Sequence, residues 1–235
     1  MARRLSRPRG VIFDMDGLIV DSEPFWRRVQ AEVFDELGVD VRPYLGHGYT
    51  MGLRVDEAIA LLAELSGVRG IDLSTVERDV VTGVVGAIRA EAALLPGAEA
   101  AIARFEEAGI PLVLASGSTP PVIDAVLDRF ALRPHFVAVL SAADDLLGKP
   151  HPSIFLRAAG VFGVRPEDCL VLEDSLNGCI AAKAARMAVV AVPHPDDASD
   201  ARFSIADLCL GSLVELAKPE IQLALGLSEE NLPVA

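Results

Sequence analysis

VIFDMDG, residues 11–17, is an apolar run that stops on two carboxylates and a glycine. Four comparable runs follow it: LVLAS at 112–116, FVAVLS at 136–141, LVLED at 170–174 and VVAV at 189–192. Each is continuously apolar rather than alternating, which is the pattern of strands covered on both faces by crossover helices. Segments of helical period separate them. The pattern predicts an α/β fold, a doubly wound parallel sheet.

The first interval breaks the rhythm. The chain runs from residue 15 to residue 111 before the second apolar run, far more than one crossover helix needs. The insert has helical periodicity: Val29, Val33, Phe34 and Leu37 share one face, and Val55, Ile59 and Leu62 share another. Ser74 with Glu77 has the spacing of a capping box opening a third helix. Its predicted edges are Asp21-Ser22-Glu23-Pro24 and Leu95-Pro96-Gly97. The expected division is therefore a catalytic core from 1–21 and 94–235 and an α-helical cap from 22–93, with the two crossings as a hinge. Beyond the cap, residues 98–108 predict an amphipathic helix closed by Gly109, and the end from Lys218 onward reads as amphipathic, then polar and loosely held.

Composition narrows the function. Hydrophobic residues make up 51% of 235 and charged residues 23%, enough apolar material for a sizeable core, while no apolar stretch reaches the length of a membrane span. Lys and Arg number 21 against 34 Asp and Glu, a net charge of −13, which disfavours nucleic acid and anionic membrane as partners. The basic start meets Asp14 and Asp16 before a signal-peptide core can form, so it reads as a short tail. Cys169, Cys179 and Cys209 show no CxxC spacing and there are only four His, so neither a disulfide scaffold nor a zinc site is expected, and a cytoplasmic setting fits. A monomer or weak oligomer is expected.

In open α/β sheets the ligand crevice lies beyond the carboxyl ends of the strands. Here those ends carry Asp14-Met15-Asp16-Gly17, Ser116-Gly117-Ser118, Lys149-Pro150 and Glu173-Asp174-Ser175. Residues two apart in extended chain point to the same side, so Asp14 and Asp16 can share a pocket with Asp174. Clustered acids repel, and a hard divalent cation with oxygen ligands relieves them; sparse carboxylates with room for water and phosphate favour Mg²⁺. A phosphate group can then approach, held also by Lys149, the Ser116 hydroxyl and backbone N–H groups following Gly117 and Ser118. A carboxylate shielded in this way is a competent nucleophile on phosphorus. Asp14 is expected to be that nucleophile and Asp16 the general acid and base.

These residues resemble the haloacid dehalogenase superfamily: VIFDMDGLIVDSEP is similar to its first motif, LASGS to its second, GKPHPSIF to its third and LEDSLNG to its fourth, in the family's order. The resemblance implies a Rossmann-like core with a helical cap inserted after the first motif. It implies the same roles for Asp14 and Asp16, with Ser116 and Lys149 binding the phosphoryl group. It also implies that Mg²⁺ is held by the Asp14 carboxylate, the Asp16 main-chain carbonyl and Asp174, with Glu173 as a further candidate.

The resemblance also sorts the superfamily's reactions. Dehalogenases lack the acid at the position of Asp16. The phosphonoacetaldehyde hydrolase branch needs a cap lysine, whereas the lysines here are Lys149, Lys183 and Lys218. β-Phosphoglucomutases share the cap size and a loop similar to YTMGLRVDE, but carry His where Trp26 stands. DSEPFW, TMGLR and KAARM resemble the phosphatases of 2-deoxyglucose 6-phosphate and hexitol phosphates. The expected function is thus a Mg²⁺-dependent sugar phosphatase working through an aspartyl phosphate; a phosphomutase is the alternative, and a non-catalytic phosphate-sensing protein the remote one. In the cap, Glu23, Trp26 and Arg54 are the candidates to touch the sugar, since carboxylate and guanidinium bind hydroxyls and an aromatic face covers a ring, although Trp26 packing cap on core and Arg54 as a solvated helix-start charge are equally open readings. Asn177 is a candidate either to orient the metal-site acids or to cap the following helix.

Overall fold

A computed structural model of the chain describes residues 5–45, 50 and 52–227. The basic start at 1–4, Tyr49 and Met51 of the cap loop, and the polar end from 228 lie outside them. Six strands form one parallel sheet: β1 (Gly10–Phe13), β2 (Leu112–Ser116), β3 (Ala138–Ser141), β4 (Cys169–Glu173), β5 (Ala188–Ala191) and β6 (Leu208–Cys209). Their order is β3-β2-β1-β4-β5-β6. Every residue of β1, β2 and β4 is buried, as their unbroken apolar runs require.

Successive side chains of each strand feed opposite cores. Val11, Phe13, Leu112, Leu114, Leu170 and Leu172 pack with α4 (Ala98–Glu107) and α5 (Pro120–Arg129). Ile12, Val113, Ala115, Val171 and Val189 pack with α6 (Ser153–Phe162) and α7 (Leu176–Ala184). Phe13 meets Phe105 and Phe136 edge to face at 5.9 and 6.1 Å. Phe13 is in register with Leu114 and Leu172, and the ladder continues one step as the Asp14 N–H donates to the Leu172 carbonyl at 3.1 Å. The order reverses between β1 and β4, so Asp14 stands at the topological switch point.

Between β1 and α4 the chain builds α1 (Glu23–Glu36), α2 (Val55–Ser66) and α3 (Leu73–Glu91). The outgoing and returning crossings lie side by side: Leu95 N–H donates to the Ile19 carbonyl at 2.8 Å and Asp21 N–H to the Ala93 carbonyl at 3.3 Å. Val29 and Phe34 are buried as the periodicity predicts, but α1 ends at Glu36, and Leu37 falls at its C-cap, 42% exposed. The Ser74 capping box is corrected. Asp72 is the N-cap of α3, accepting from the Ser74 N–H at 3.1 Å, the Ser74 hydroxyl at 2.7 Å and the Thr75 hydroxyl at 2.9 Å; α3 begins at Leu73, so Ser74 lies inside the first turn, and the Asp72 charge complements the positive end of the helix.

The chain after Lys218 is also better fixed than its sequence predicts. It forms α8 (Pro219–Ala224), Leu225 is buried, and the Leu5 N–H donates to the Ala224 carbonyl at 2.7 Å. All three cysteines are free. Among the described residues no helix is long and apolar enough to cross a membrane.

Candidate active site

Lys149 organises the strand tips. Its Nζ donates to Asp14 Oδ1 at 2.6 Å and to Glu173 Oε1, lies 3.5 Å from the Ala115 carbonyl, and sits 5.2 Å from the centre of the Phe155 ring. All three charged groups are buried. The other oxygen of Glu173 accepts from the Ser175 N–H at 3.0 Å and the Ser175 hydroxyl at 2.9 Å. Ser175 in turn caps α7, its Oγ accepting from the Gly178 N–H at 3.0 Å. That settles the cap of α7 on Ser175, and Asn177 lies inside the helix.

Asp16 is held by hydroxyls from both sides of the cavity. Oδ1 accepts from the Ser22 hydroxyl at 2.6 Å and faces the Trp26 indole N–H at 3.5 Å. Oδ2 accepts from the Ser118 hydroxyl at 2.8 Å and the Ser116 hydroxyl at 3.0 Å. The turn between Asp16 and the cap needs Gly17: its φ is +79°, and a Cβ there would stand 2.1 Å from Asp174 Oδ2.

Charge at the floor is unbalanced. Asp14, Glu173 and Asp174 each offer a carboxylate oxygen within 4.8 Å of the others, against the single ammonium of Lys149. Burial pushes the Asp14 carboxyl up to about 8, with Glu173 and Asp16 adding to the rise and Lys149 opposing it. Burial likewise lifts Asp174 well above the ordinary carboxyl range, reinforced by the charges of Glu173 and Asp14. Burial works against the charge on Lys149, but Asp14 and Glu173 outweigh it and hold the ammonium above its ordinary value. A site with this excess of oxygen donors and negative charge fits Mg²⁺.

The cavity above this floor is lined by Asp14, Asp16, Gly117, Ser118, Lys149 and Asp174 below, and by Glu23, Trp26 and Gln30 of α1 above. Thr50, Gly52, Leu53, Val55 and Ala58 close the remaining side. Gly52 approaches so near the core that a Cβ on it would lie 2.8 Å from Ser175 Oγ. Of the residues singled out in the sequence, Asp14, Asp16, Gly117, Lys149, Asp174, Glu23 and Trp26 thus meet around one cavity. Ser116 and Glu173 lie behind it, wholly buried, acting on Asp16 and Lys149.

Arg54 stands beside the cavity rather than in its lining. Its Nη1 donates to the Asp145 carbonyl at 2.6 Å, Nε donates to Asp56 Oδ1 at 2.9 Å, and its N–H donates to Glu57 Oε2 at 3.2 Å. Gln30 and the Ser118 hydroxyl in the cavity lining, and the buried Ser22 behind Asp16, are site residues that motif reading passed over. Gln30 had a readable signal, since it falls four residues after Trp26 and seven after Glu23 on one helix face.

The model of the haloacid dehalogenase-like hydrolase family matches residues 8–186. Hexitol phosphatase B of Escherichia coli (strain K12) is 40% identical over 220 residues, covering 92% of this chain and 99% of that protein. A probable pseudouridine-5'-phosphatase of Drosophila melanogaster is 34% identical over 215 residues, covering 89% of this chain and 91% of that one. Among solved structures, CbbY from Rhodobacter sphaeroides in complex with phosphate matches with a TM-score of 0.76 at 27% identity, over 89% of this chain and 96% of that one. A family match running from the approach to β1 through α7 agrees with the Asp14, Lys149 and Asp174 geometry, and the chain belongs to the haloacid dehalogenase-like hydrolases.

Proposed function

We propose that the protein is a Mg²⁺-dependent phosphatase that hydrolyses small sugar and hexitol monophosphates through a phosphoryl ester on Asp14. The observation that carries this reading is the pairing of two acids with different surroundings. Asp14 is buried against Lys149 at 2.6 Å, whereas Asp16, two residues on, faces the same cavity ringed by hydroxyls. The first arrangement suits a nucleophile whose charge must be shielded, the second a group that exchanges protons.

The substrate's phosphoryl group would sit over Asp14, against the Lys149 ammonium and the backbone at Gly117 and Ser118. Asp14 attacks phosphorus while Asp16 protonates the departing alkoxide. Asp16 then takes a proton from water as that water attacks phosphorus and releases Asp14. Asp14 and Asp174, with the Asp16 carbonyl, would hold Mg²⁺, which when bound would neutralise charge on the phosphoryl oxygens. Both oxygens of Glu173 already accept hydrogen bonds, from Lys149 and Ser175, so its part is to fix those two groups.

Hydrolysis rather than internal transfer is supported by Trp26, which occupies the position of the mutase histidine, and by 40% identity to hexitol phosphatase B. The test is phosphate release from a panel of hexose, deoxyhexose, hexitol and pentose phosphates, with β-glucose 1-phosphate scored for isomerisation. Free phosphate appearing from hexose or hexitol phosphates is the expected result. Glucose 6-phosphate forming faster than free phosphate would establish the mutase instead.

A further inference from the structure

We propose that Gln30 is a specificity-determining residue whose carboxamide reads a hydroxyl on the end of the substrate remote from phosphorus. The inference rests on the reading of the site as a sugar or hexitol monophosphatase and extends it to the roof of the cavity. Gln30 is only 4% exposed, and it lines the cavity beside Glu23 and Trp26. Nearly all of the side chain is withdrawn from solvent, and a leucine would fill the same position on α1 without placing a carboxamide against the cavity. A glutamine there makes physical sense when a ligand completes its hydrogen bonds.

Position selects which part of the ligand it meets. Glu23, Trp26 and Gln30 form one stripe along α1, and the Trp26 indole already lies 3.5 Å from Asp16. Four residues further along, Gln30 stands about 6 Å farther down the helix axis. A substrate with phosphorus at Asp14 and its ester oxygen near Asp16 therefore reaches Gln30 with its far carbons. Charge selects the chemistry. Lys149 is the only cation among the described lining residues, and it is committed to Asp14 and Glu173 at the floor. Glu23 adds a carboxylate to the roof. A second phosphate or a carboxylate would find no positive partner among the described lining residues of the roof. A hydroxyl, which donates and accepts as a carboxamide does, matches Gln30 on both counts.

The experiment compares parent, Gln30→Leu and Gln30→Glu on sorbitol 6-phosphate, glucose 6-phosphate with its monodeoxy analogues, and p-nitrophenyl phosphate. The readout is the ratio of kcat/KM for each sugar or hexitol phosphate to that for p-nitrophenyl phosphate, which has no hydroxyl to read. In Gln30→Leu this ratio is expected to fall roughly ten- to a hundredfold, mainly through KM. One monodeoxy analogue should be penalised in the parent and not further penalised in the variant. Gln30→Glu preserves shape while removing the donors, so it should lower the same ratio even if Gln30→Leu packs poorly. An unchanged ratio in both variants, including an equal loss on every substrate, overturns the assignment while leaving the phosphatase reading intact. A parent that hydrolyses p-nitrophenyl phosphate but no sugar or hexitol phosphate overturns the substrate class itself.

Discussion

Arg54 Nη1 donates to the Asp145 carbonyl at 2.6 Å, tying the first turn of α2 to the loop that leads into Lys149. Glu57 doubles the tie, since one of its oxygens accepts from the Gly148 N–H and the other from the Arg54 N–H, each at 3.2 Å. The cap thus grips the backbone immediately before the site's ammonium. Removing one charge-assisted bond of this kind costs about 1.5–3 kcal/mol. Arg54→Ala is expected to raise KM roughly tenfold or more, and equally for sugar phosphates and p-nitrophenyl phosphate. Steady-state kinetics on both substrates check it. An effect confined to sugar phosphates would instead make Arg54 a sugar contact.

Among the described residues Lys149 is the sole counter-charge bonded to the two buried acids Asp14 and Glu173. Lys149→Met leaves those carboxylates unpaired and is expected to cost about 3–5 kcal/mol of stability, together with nearly all activity. Lys149→Met combined with Glu173→Gln should recover much of the stability and none of the turnover. Denaturant unfolding and phosphate release on the three proteins separate the two roles. Full stability in Lys149→Met alone would contradict the electrostatic account.

The metal-free protein should become less stable as pH rises. Asp14 titrates near 8 in the folded chain against an ordinary value of 3.8, because burial disfavours its charge. Between those values the folded state holds a proton that the unfolded chain has released, so unfolding becomes easier with each rise in pH. This contribution is fully present below 3.8 and is lost as pH passes through about 8; Asp174 acts in the same direction. In EDTA the Tm is expected to fall between about pH 6 and pH 9, whereas saturating Mg²⁺, which binds the deprotonated acids, should remove most of the fall. A Tm in EDTA that is flat across this range, or rises, would contradict the raised carboxyls.

The floor of the site was legible in the sequence because strand ends are local: an apolar run stopping at Asp14, Ser116 or Glu173 already places its polar terminus at the crevice. The sheet's rim was less so. FVAVLS loses Phe136 and Val137 to the approach into β3, where Val137 is 63% exposed, and β6 is two residues with no run to read. The cap was legible as helices but not as a surface. Which side of α1 faces Asp16, and that Arg54 turns to the Asp145 carbonyl instead of the cavity, depend on how cap and core meet, and no local pattern encodes that meeting. The same holds for Ser22 and Ser118, ordinary turn and cap residues in sequence that converge on one carboxylate.

That convergence makes Asp16 separable from Asp14 by experiment. Asp16→Asn keeps the shape and an acceptor for the surrounding hydroxyls, so the fold should survive. It removes proton transfer, worth roughly 10²–10⁴ in rate. The loss should depend on the leaving group. A sugar alkoxide needs the proton in the first step, whereas p-nitrophenolate leaves without one. With sorbitol 6-phosphate the variant should show almost no product even in a single turnover. With p-nitrophenyl phosphate it should show a burst of p-nitrophenolate close to one equivalent per site, then a slow phase, because water attack on the Asp14 ester still lacks its base. The phosphoryl group trapped during that burst should map to Asp14 by mass spectrometry. Wild-type rates on both substrates would remove Asp16 from the chemistry, and label on any other side chain would remove Asp14.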